Sequence, residues 1–447
     1  MASARARVLV AGTGVSGIAA ARLARRLGCA VTVLDSRAEI PSASARLAAC
    51  GAAVEWNVGA DFAPPADASL AVFSPAFPDA HPWVARCRAR GIETISELEF
   101  GARNWKGRIL AVTGSKGKSS IVKLSSDALN AAGRTAAPAG NYGTPLCELC
   151  VDRPDLDYAV VEVSSFQMEL TTSFSPDVAL FLNLQADHLD RHGSMEVYRA
   201  LKMRLFSRMR KGSLALLPED FAVSPGEIPE GVECARFGAG PTATWRYTGG
   251  AVVGEAQRCD LQGSWFDNPV FGISAASAVA ALLRVGLSAD EVSAALRAFR
   301  PLAHRMQLIG TDGKGVRYID DSKATSLAAL AAGVRMAGGR VRLIAGGLLK
   351  EENLAIVKET LASQVEKVYL IGSCAERMAA AWGAVVPCVC CVTLDAAVKT
   401  AVSDARAGEA VLLSPGTASF DQFKSYGERG ERFASLVRTR TDLQSVS

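Results

Sequence analysis

The run Arg108-Ile109-Leu110-Ala111-Val112-Thr113 breaks at Gly114-Ser115-Lys116-Gly117-Lys118-Ser119-Ser120 and continues in a helical pattern. A short apolar strand that turns through two glycines into a helix is the opening unit of a parallel α/β sheet. Parallel partners need a crossover, and a helix supplies it. Gly114 and Gly117 let the backbone curl so that successive N–H groups converge at the positive end of the helix, where anionic oxygens bind. Lys118 brings a point charge for the β- and γ-phosphates of ATP, and Ser119 a hydroxyl for Mg²⁺. Ser115, Lys116 and Ser120 complete the cradle. The bland alternative is a glycine turn before a basic helix, and it leaves the strand–turn–helix context unexplained.

With 447 residues the chain suits about three domains. Apolar residues make up 49%, and the net charge of +4 is too small to argue for nucleic acid. It suits small anionic substrates. Eleven scattered cysteines do not form a disulfide framework. Cys147-Glu-Leu-Cys150 and Cys388-Val-Cys390-Cys391 are expected to be buried, reduced thiols. Met1–Arg7 has no signal-peptide layout, and apolar runs such as Gly272–Leu283 are too short to span a bilayer. No integral membrane segment, a cytoplasmic location and a monomer are expected.

Short Val/Ile/Leu runs alternate with alanine-rich helical patterns in three stretches. The expected fold is α/β in three domains. Residues 1–105 form a Rossmann-like UDP-binding domain, 106–300 a central P-loop ATPase-type parallel sheet, and 301–447 a C-terminal Rossmann-like domain. Linkers fall at Asn104–Gly107 and Phe299-Arg300-Pro301. Strands are expected at Tyr158–Val163, Val178–Asn183, Ser213–Leu217, Val316–Ile319, Val341–Ala345, Lys367–Ile371, Val385–Val389 and Ala410–Leu413, with a β-rich excursion over Gly231–Gly263 and a helix over Ala275–Val285.

Gly12-Thr13-Gly14-Val15-Ser16-Gly17 follows the strand Val8–Ala11, and Asp35 ends the next strand. These parts fit an NAD fingerprint in full. Any nucleoside diphosphate needs the same helix N-terminus, however, and nothing downstream offers a hydride-transfer site. A UDP-substrate is favoured, with Asp35, Ser36 and Arg37 near the uridine end.

Three further segments carry chemistry: Glu162-Val-Ser-Ser-Phe-Gln167, Asn183-Leu-Gln-Ala-Asp187-His188-Leu-Asp-Arg-His192 and Tyr198-Arg-Ala-Leu-Lys202. Glu162 and His188 close strands of the sheet that holds the glycine turn, so both are expected to converge on Mg²⁺. In this order, and with His304-Arg305, Asp320-Asp321-Ser322-Lys323-Ala324-Thr325 and Ser414-Pro-Gly-Thr-Ala-Ser419-Phe-Asp-Gln-Phe423, the chain resembles the Mur ligases over almost its whole length.

The resemblance implies that Lys118 and Ser119 hold ATP and Mg²⁺, with Glu162 and His188 as metal ligands. It implies a carbamylated Lys202 that positions a second Mg²⁺, and a catalytic His304. Arg305, Asp321 and Lys323 would meet ATP when the third domain closes. Ser74 and Asn141 look like substrate-binding positions, and Thr325, Lys350, Ser419 and Tyr426 like the amino-acid pocket. Within the family these segments point to the branch that takes UDP-N-acetylmuramoyl-L-alanine, ATP and D-glutamate. Asn268–Ser274 lacks the asparagines such enzymes turn toward adenine, and Leu349 stands where an aspartate is expected. Rival readings are a folylpolyglutamate synthetase-like ligase, an NAD-dependent dehydrogenase using the first glycine turn, and a non-catalytic nucleotide-binding protein.

Overall fold

The computed structural model describes residues 7–349 and 351–444, and three sheets follow one another along the chain. The first has five parallel strands in the order Ala53–Glu55, Ala30–Leu34, Arg7–Ala11, Ala68–Phe73, Glu93–Ser96. The chain starts in the middle strand and builds outward in both directions. The ends of Arg7–Ala11 and Ala68–Phe73 therefore flank a topological switch point, where open α/β sheets bind ligands.

The second sheet has nine strands. Arg108–Thr113 lies between Tyr158–Glu162 and Val178–Phe181, so the glycine turn also leaves the sheet at a switch point. Side chains alternate across this strand. Leu110 and Val112 pack with the helices Lys118–Ala131 and Pro269–Arg284, while Ile109 and Ala111 face Leu146, Met203 and Phe206. Both faces are covered, which is why these strands read as continuous apolar runs. Beyond Leu214–Pro218 the sheet continues through Glu233–Gly238 and Trp245–Tyr247, and two antiparallel strands, Ala251–Val253 and Arg258–Asp260, close that edge.

The third sheet runs Cys388–Val392, Val365–Ile371, Val341–Gly346, Ala410–Leu413, Arg317–Asp320, Gln307–Asp312, Leu443–Gln444, the last two strands antiparallel to their neighbours. It belongs to one compact unit and the first two sheets to another. Within the unit of two sheets, Arg22 pairs with Glu148 and Asp152, and buried Glu99 accepts from the Thr172 and Ser173 amides.

Three expectations are corrected. The strand expected at Val385–Val389 lies at Cys388–Val392, on the sheet edge. Cys147 and Cys150 are buried as expected, but Cys390 is exposed and Cys388 and Cys391 only half-buried, since an edge strand has one flank uncovered. The helix expected from Ala275 begins at Pro269. Among the described residues no helix is long and apolar enough to cross a membrane.

Gly17 sets how closely the first helix approaches its strand. A Cβ there would lie 1.8 Å from the Gly12 carbonyl oxygen. Gly17→Ala must push the helix Val15–Arg26 off the sheet, and is expected to cost about 1–3 kcal/mol, read from the urea unfolding midpoint.

Candidate functional site

In the second sheet, Gly114 (φ 140°) and Gly117 (φ 87°) take conformations reserved in practice for glycine. Neighbouring segments hold the turn. The Lys116 amide donates to Asn183 Oδ1 at 2.9 Å, the Ser115 amide to the Asn183 carbonyl at 3.0 Å, and Ser115 Oγ to the Gln185 carbonyl at 2.9 Å. The helix Lys118–Ala131 then begins with no side-chain cap and no acidic residue in its first turn. A helix N-terminus left in this state is ready to take an anion.

Two lysines converge here. Lys118 Nζ donates to the carbonyls of Gly114 (2.8 Å) and Ser115 (3.0 Å), and Lys202 Nζ donates to the same Gly114 carbonyl at 2.8 Å. Lys202 is only 1% exposed because the helix Met195–Met203, capped by Ser194, buries its Tyr198–Lys202 face. Burial, with Lys118 adding to it, pushes the Lys202 amine down to about 7. Ser119 Oγ donates to Glu162 Oε2 at 2.7 Å, and Asn141 Nδ2 donates to Glu162 Oε1 at 2.7 Å. Hard oxygen donors beside a phosphate-ready turn fit Mg²⁺, which is held by one or two side chains plus phosphates and water. Among the described residues no cluster of three or more His, Cys, Asp or Glu forms a ready-made cage. Ser120 is buried at 2% and serves the helix packing.

The strand Val178–Phe181 runs into a polar turn, and His188 lies in that turn with φ 54° and a half-exposed ring 4.8 Å from that of Phe166. Beside it Asp187 accepts from Lys116 Nζ at 3.1 Å. Burial pushes that carboxyl up, but the neighbouring basic groups, Lys116 foremost with His188 and Lys118, together outweigh it and the net shift is downward.

At the first sheet, Gly14 is exposed, its Cβ position is open, and it precedes the helix Val15–Arg26 with neither a side-chain cap nor an early acidic residue. Thr13 is buried, whereas Val15 is exposed and Ser16 half-buried. Ser74, at the end of the neighbouring strand, donates to the Ala11 carbonyl at 2.8 Å. Asp35 is occupied internally. It accepts from the Thr13 amide and hydroxyl and from the Arg37 amide and guanidinium. Burial opposes its charge, but the bonds from Arg37 and Thr13 hold the carboxyl far below the usual range. Asp35 thus fixes the turn, and Ser36 and Arg37 are exposed beside it.

In the unit of the third sheet, His304 Nδ1 lies 2.7 Å from Asp320 Oδ2, and this bond raises the His304 pKa. Asp321 faces inward, accepting from Ser414 Oγ and the Met306 amide, and burial pushes its carboxyl up to about 7. Lys323 Nζ sits 3.8 Å over the Tyr426 ring. Arg305 and Thr325 are half-buried and Ser419 is buried. Lys350 lies outside the described residues.

Asn183, which opens one of the quoted segments, pins the glycine turn, a role that only the structure shows. One contributor lies outside the quoted segments. Arg429, fully buried, binds the carbonyls of Ser322, Thr417 and Ala418 and so joins two of the quoted motifs. Its signal is a lone arginine on the buried stripe of its helix.

Two uncapped helix starts at the switch points of separate parallel-rich sheets define a multidomain α/β protein built to hold anionic ligands. Residues 112–254 match the Mur ligase middle domain and 304–416 the Mur ligase glutamate ligase domain. Residues 2–56 also match the C-terminal domain of alanine dehydrogenase/PNT. A UDP-N-acetylmuramoylalanine--D-glutamate ligase of Nitratidesulfovibrio vulgaris is 36% identical over 96% of both chains, and one of Anaeromyxobacter dehalogenans 37% identical over 96% of this chain and 97% of that one. Among solved structures, the UDP-N-acetylmuramate-alanine ligase of Thermotoga maritima shares the fold at TM-score 0.59 and 16% identity, over 97% of this chain and 99% of that one. A bifunctional folylpolyglutamate synthase/dihydrofolate synthase of Yersinia pestis does so at 0.55 and 17%, over 76% of this chain and 92% of that one. The chain belongs to the Mur ligase family, in the group of UDP-N-acetylmuramoylalanine--D-glutamate ligases.

Proposed function

We propose that this chain is an ATP-dependent amide ligase that joins D-glutamate to UDP-N-acetylmuramoyl-L-alanine in peptidoglycan precursor synthesis. The observation that carries it is the convergence of Lys118 and Lys202 on the Gly114 carbonyl beside the Ser119–Glu162 pair. The full-length likeness to ligases of that name supplies the substrates.

In this reading residues 1–105 form the Rossmann-like UDP domain, with the Gly14 helix start taking the diphosphate. Residues 106–300 form the P-loop ATP domain, and 301–447 the Rossmann-like domain that binds the amino acid. The protein works in the cytoplasm as a monomer. The substrate carboxylate attacks the γ-phosphate of ATP, giving an acyl phosphate and ADP. The D-glutamate amine then attacks the carbonyl, and the tetrahedral adduct collapses to amide and phosphate. Mg²⁺, held by Ser119 and Glu162, supplies charge neutralisation when bound. Lys118 holds the moving phosphoryl charge, and the helix N–H groups orient it.

Lys202 is carbamylated in this reading. Carbamate formation needs a neutral amine, and burial provides one near neutral pH.

The test is ATP-dependent phosphate release with UDP-N-acetylmuramoyl-L-alanine and a panel of D- and L-amino acids. Release with D-glutamate is expected. Release with a pteroate in place of the UDP-substrate would instead establish the folylpolyglutamate rival, which shares the fold.

Selection of the base is expected to be weak. Asn268 Oδ1 accepts from the Val270 amide at the start of Pro269–Arg284, and the Phe271 ring packs 4.1 Å from Trp265. This stretch, which lacks the expected asparagines, is the capped start of a helix, with Phe271 packed on the core. Because polar pairing is what rejects a wrong base, kcat/KM for ATP should exceed that for GTP by less than about tenfold.

A further inference from the structure

The turn that carries His188 is anchored on two sides. On one side the Ser165 hydroxyl lies 2.9 Å from His192 Nε2, the His192 ring stacks on Tyr198, and Tyr198 Oη lies 3.2 Å from Ser115 of the glycine turn. On the other side the anchor is the first sheet. Arg191 Nε donates to Glu169 Oε1 at 2.7 Å and its Nη1 to the Ala76 carbonyl at 3.4 Å, while Glu169 Oε2 accepts from the Asp79 amide at 2.9 Å. The Arg191 guanidinium lies 4.2 Å from the centre of the Phe166 ring, which in turn contacts His188. Side chains of Glu169 and Arg191 are 9% and 18% exposed, and Arg191 Nη2 is buried with no hydrogen-bond partner.

The Ala76–Asp79 segment continues from Ser74, and Ser74 and Phe77 pack against the backbone of Gly12, within 3.1 Å of where a Cβ would stand. Anything that settles the Gly12–Gly14 turn therefore settles Ser74 and Phe77, and through Ala76 and Asp79 it loads Glu169 and Arg191. A buried ion pair that leaves one donor unsatisfied is poor value for stability alone. We propose that Arg191 and Glu169 are positioning residues that couple the first-sheet turn to the His188 ring, so that a nucleoside diphosphate seated at Gly14 fixes the place of His188. The proposal rests on the reading of the first sheet as a UDP site.

The chain has four histidines, which makes their imidazole signals resolvable by NMR, with His188→Gln assigning the one in question. The probe is UDP alone, its affinity measured by calorimetry. Adding UDP to the parent should move the His188 signal. It should also move that of His81, whose ring lies 4.9 Å from Phe77 in the first sheet. In Arg191→Met, UDP should bind within about threefold of the parent and still move His81, while the His188 response falls at least about fivefold. Glu169→Gln, which keeps size and shape, should weaken the response in the same direction and serves if Arg191→Met does not fold. A His188 response that persists undiminished in both variants, or is absent from a parent that binds UDP, would overturn the coupling alone. Failure of the parent to bind UDP, with His81 unmoved, would overturn the first-sheet reading and the coupling with it.

Discussion

Lys118→Ala is expected to lower kcat/KM for phosphate release by about a thousandfold or more, on the order of 4 kcal/mol of transition-state stabilisation. The ammonium is held 2.8–3.0 Å from the carbonyls of its own turn, at the start of a helix whose first turn carries no acidic residue. A γ-phosphoryl group entering there exchanges carbonyl dipoles for full anionic charge, so the lysine interacts more strongly as that charge moves. Its structural share is small. Two bonds to carbonyls are worth about 1 kcal/mol each, net, and the glycine turn keeps its ties through Asn183 and Gln185. Thermal unfolding should hardly move while turnover collapses. Lys118→Arg should not restore it, because a planar fork does not fit where a compact ammonium sits. Turnover near the parent rate in Lys118→Ala would remove the phosphate role from this turn.

Lys202→Ala is expected to be nearly inactive and to recover in part on addition of a short carboxylate such as formate, since the group lost in the proposed reading is a carbamate anion. Rescue by small amines and not by acids would instead mean that Lys202 works as a cation. The pH dependence has a definite sign. With the amine lowered to about 7, activity should fall as pH drops below that value, because protonation removes the form that takes up CO₂. Stability shifts in the same direction. The unfolded chain holds the Lys202 proton up to its ordinary value near 10.4, whereas the folded chain releases it from about 7. Burial of the amine therefore costs stability in full below pH 7, and that cost is relieved as pH rises from 7 toward 10.4. Lys202→Met, which removes the cost, should melt higher than the parent at pH 6 while remaining inactive. Equal melting temperatures at pH 6 would show that the amine is solvated in solution.

Local patterns reached far along this chain. The strand–glycine–helix units and most strands of the three sheets follow from apolar runs and glycine punctuation, because a strand buried on both faces has few other ways to look. The same reasoning failed at the edges. Gln307–Asp312 and Leu443–Gln444 pair antiparallel through contacts more than a hundred residues apart in sequence, and no local pattern carries that information. At Asp35 and Asp321 local pattern says only that a carboxylate stands at a strand end, whereas the structure shows each accepting hydrogen bonds from its own chain. A residue type and its position say that a charge is near a site; only its neighbours say whether its lone pairs are already in use.

The sequence by itself determined the family, the order of the three sheets and the presence of a phosphate-ready turn, since each rests on residues contiguous in the chain or matched along its length. Tertiary structure alone decided which groups meet at that turn. Lys118 and Lys202 are 84 positions apart, yet both reach the Gly114 carbonyl, and Ser119 and Glu162, on separate elements, share a hydrogen bond. It also decided that His188 stands off its strand, half in solvent, on a turn braced by Arg191 and Glu169. The physical reason is that burial, hydrogen-bond saturation and pKa belong to three-dimensional neighbourhoods. Two sheets folded into one unit create those neighbourhoods from segments that no local pattern links.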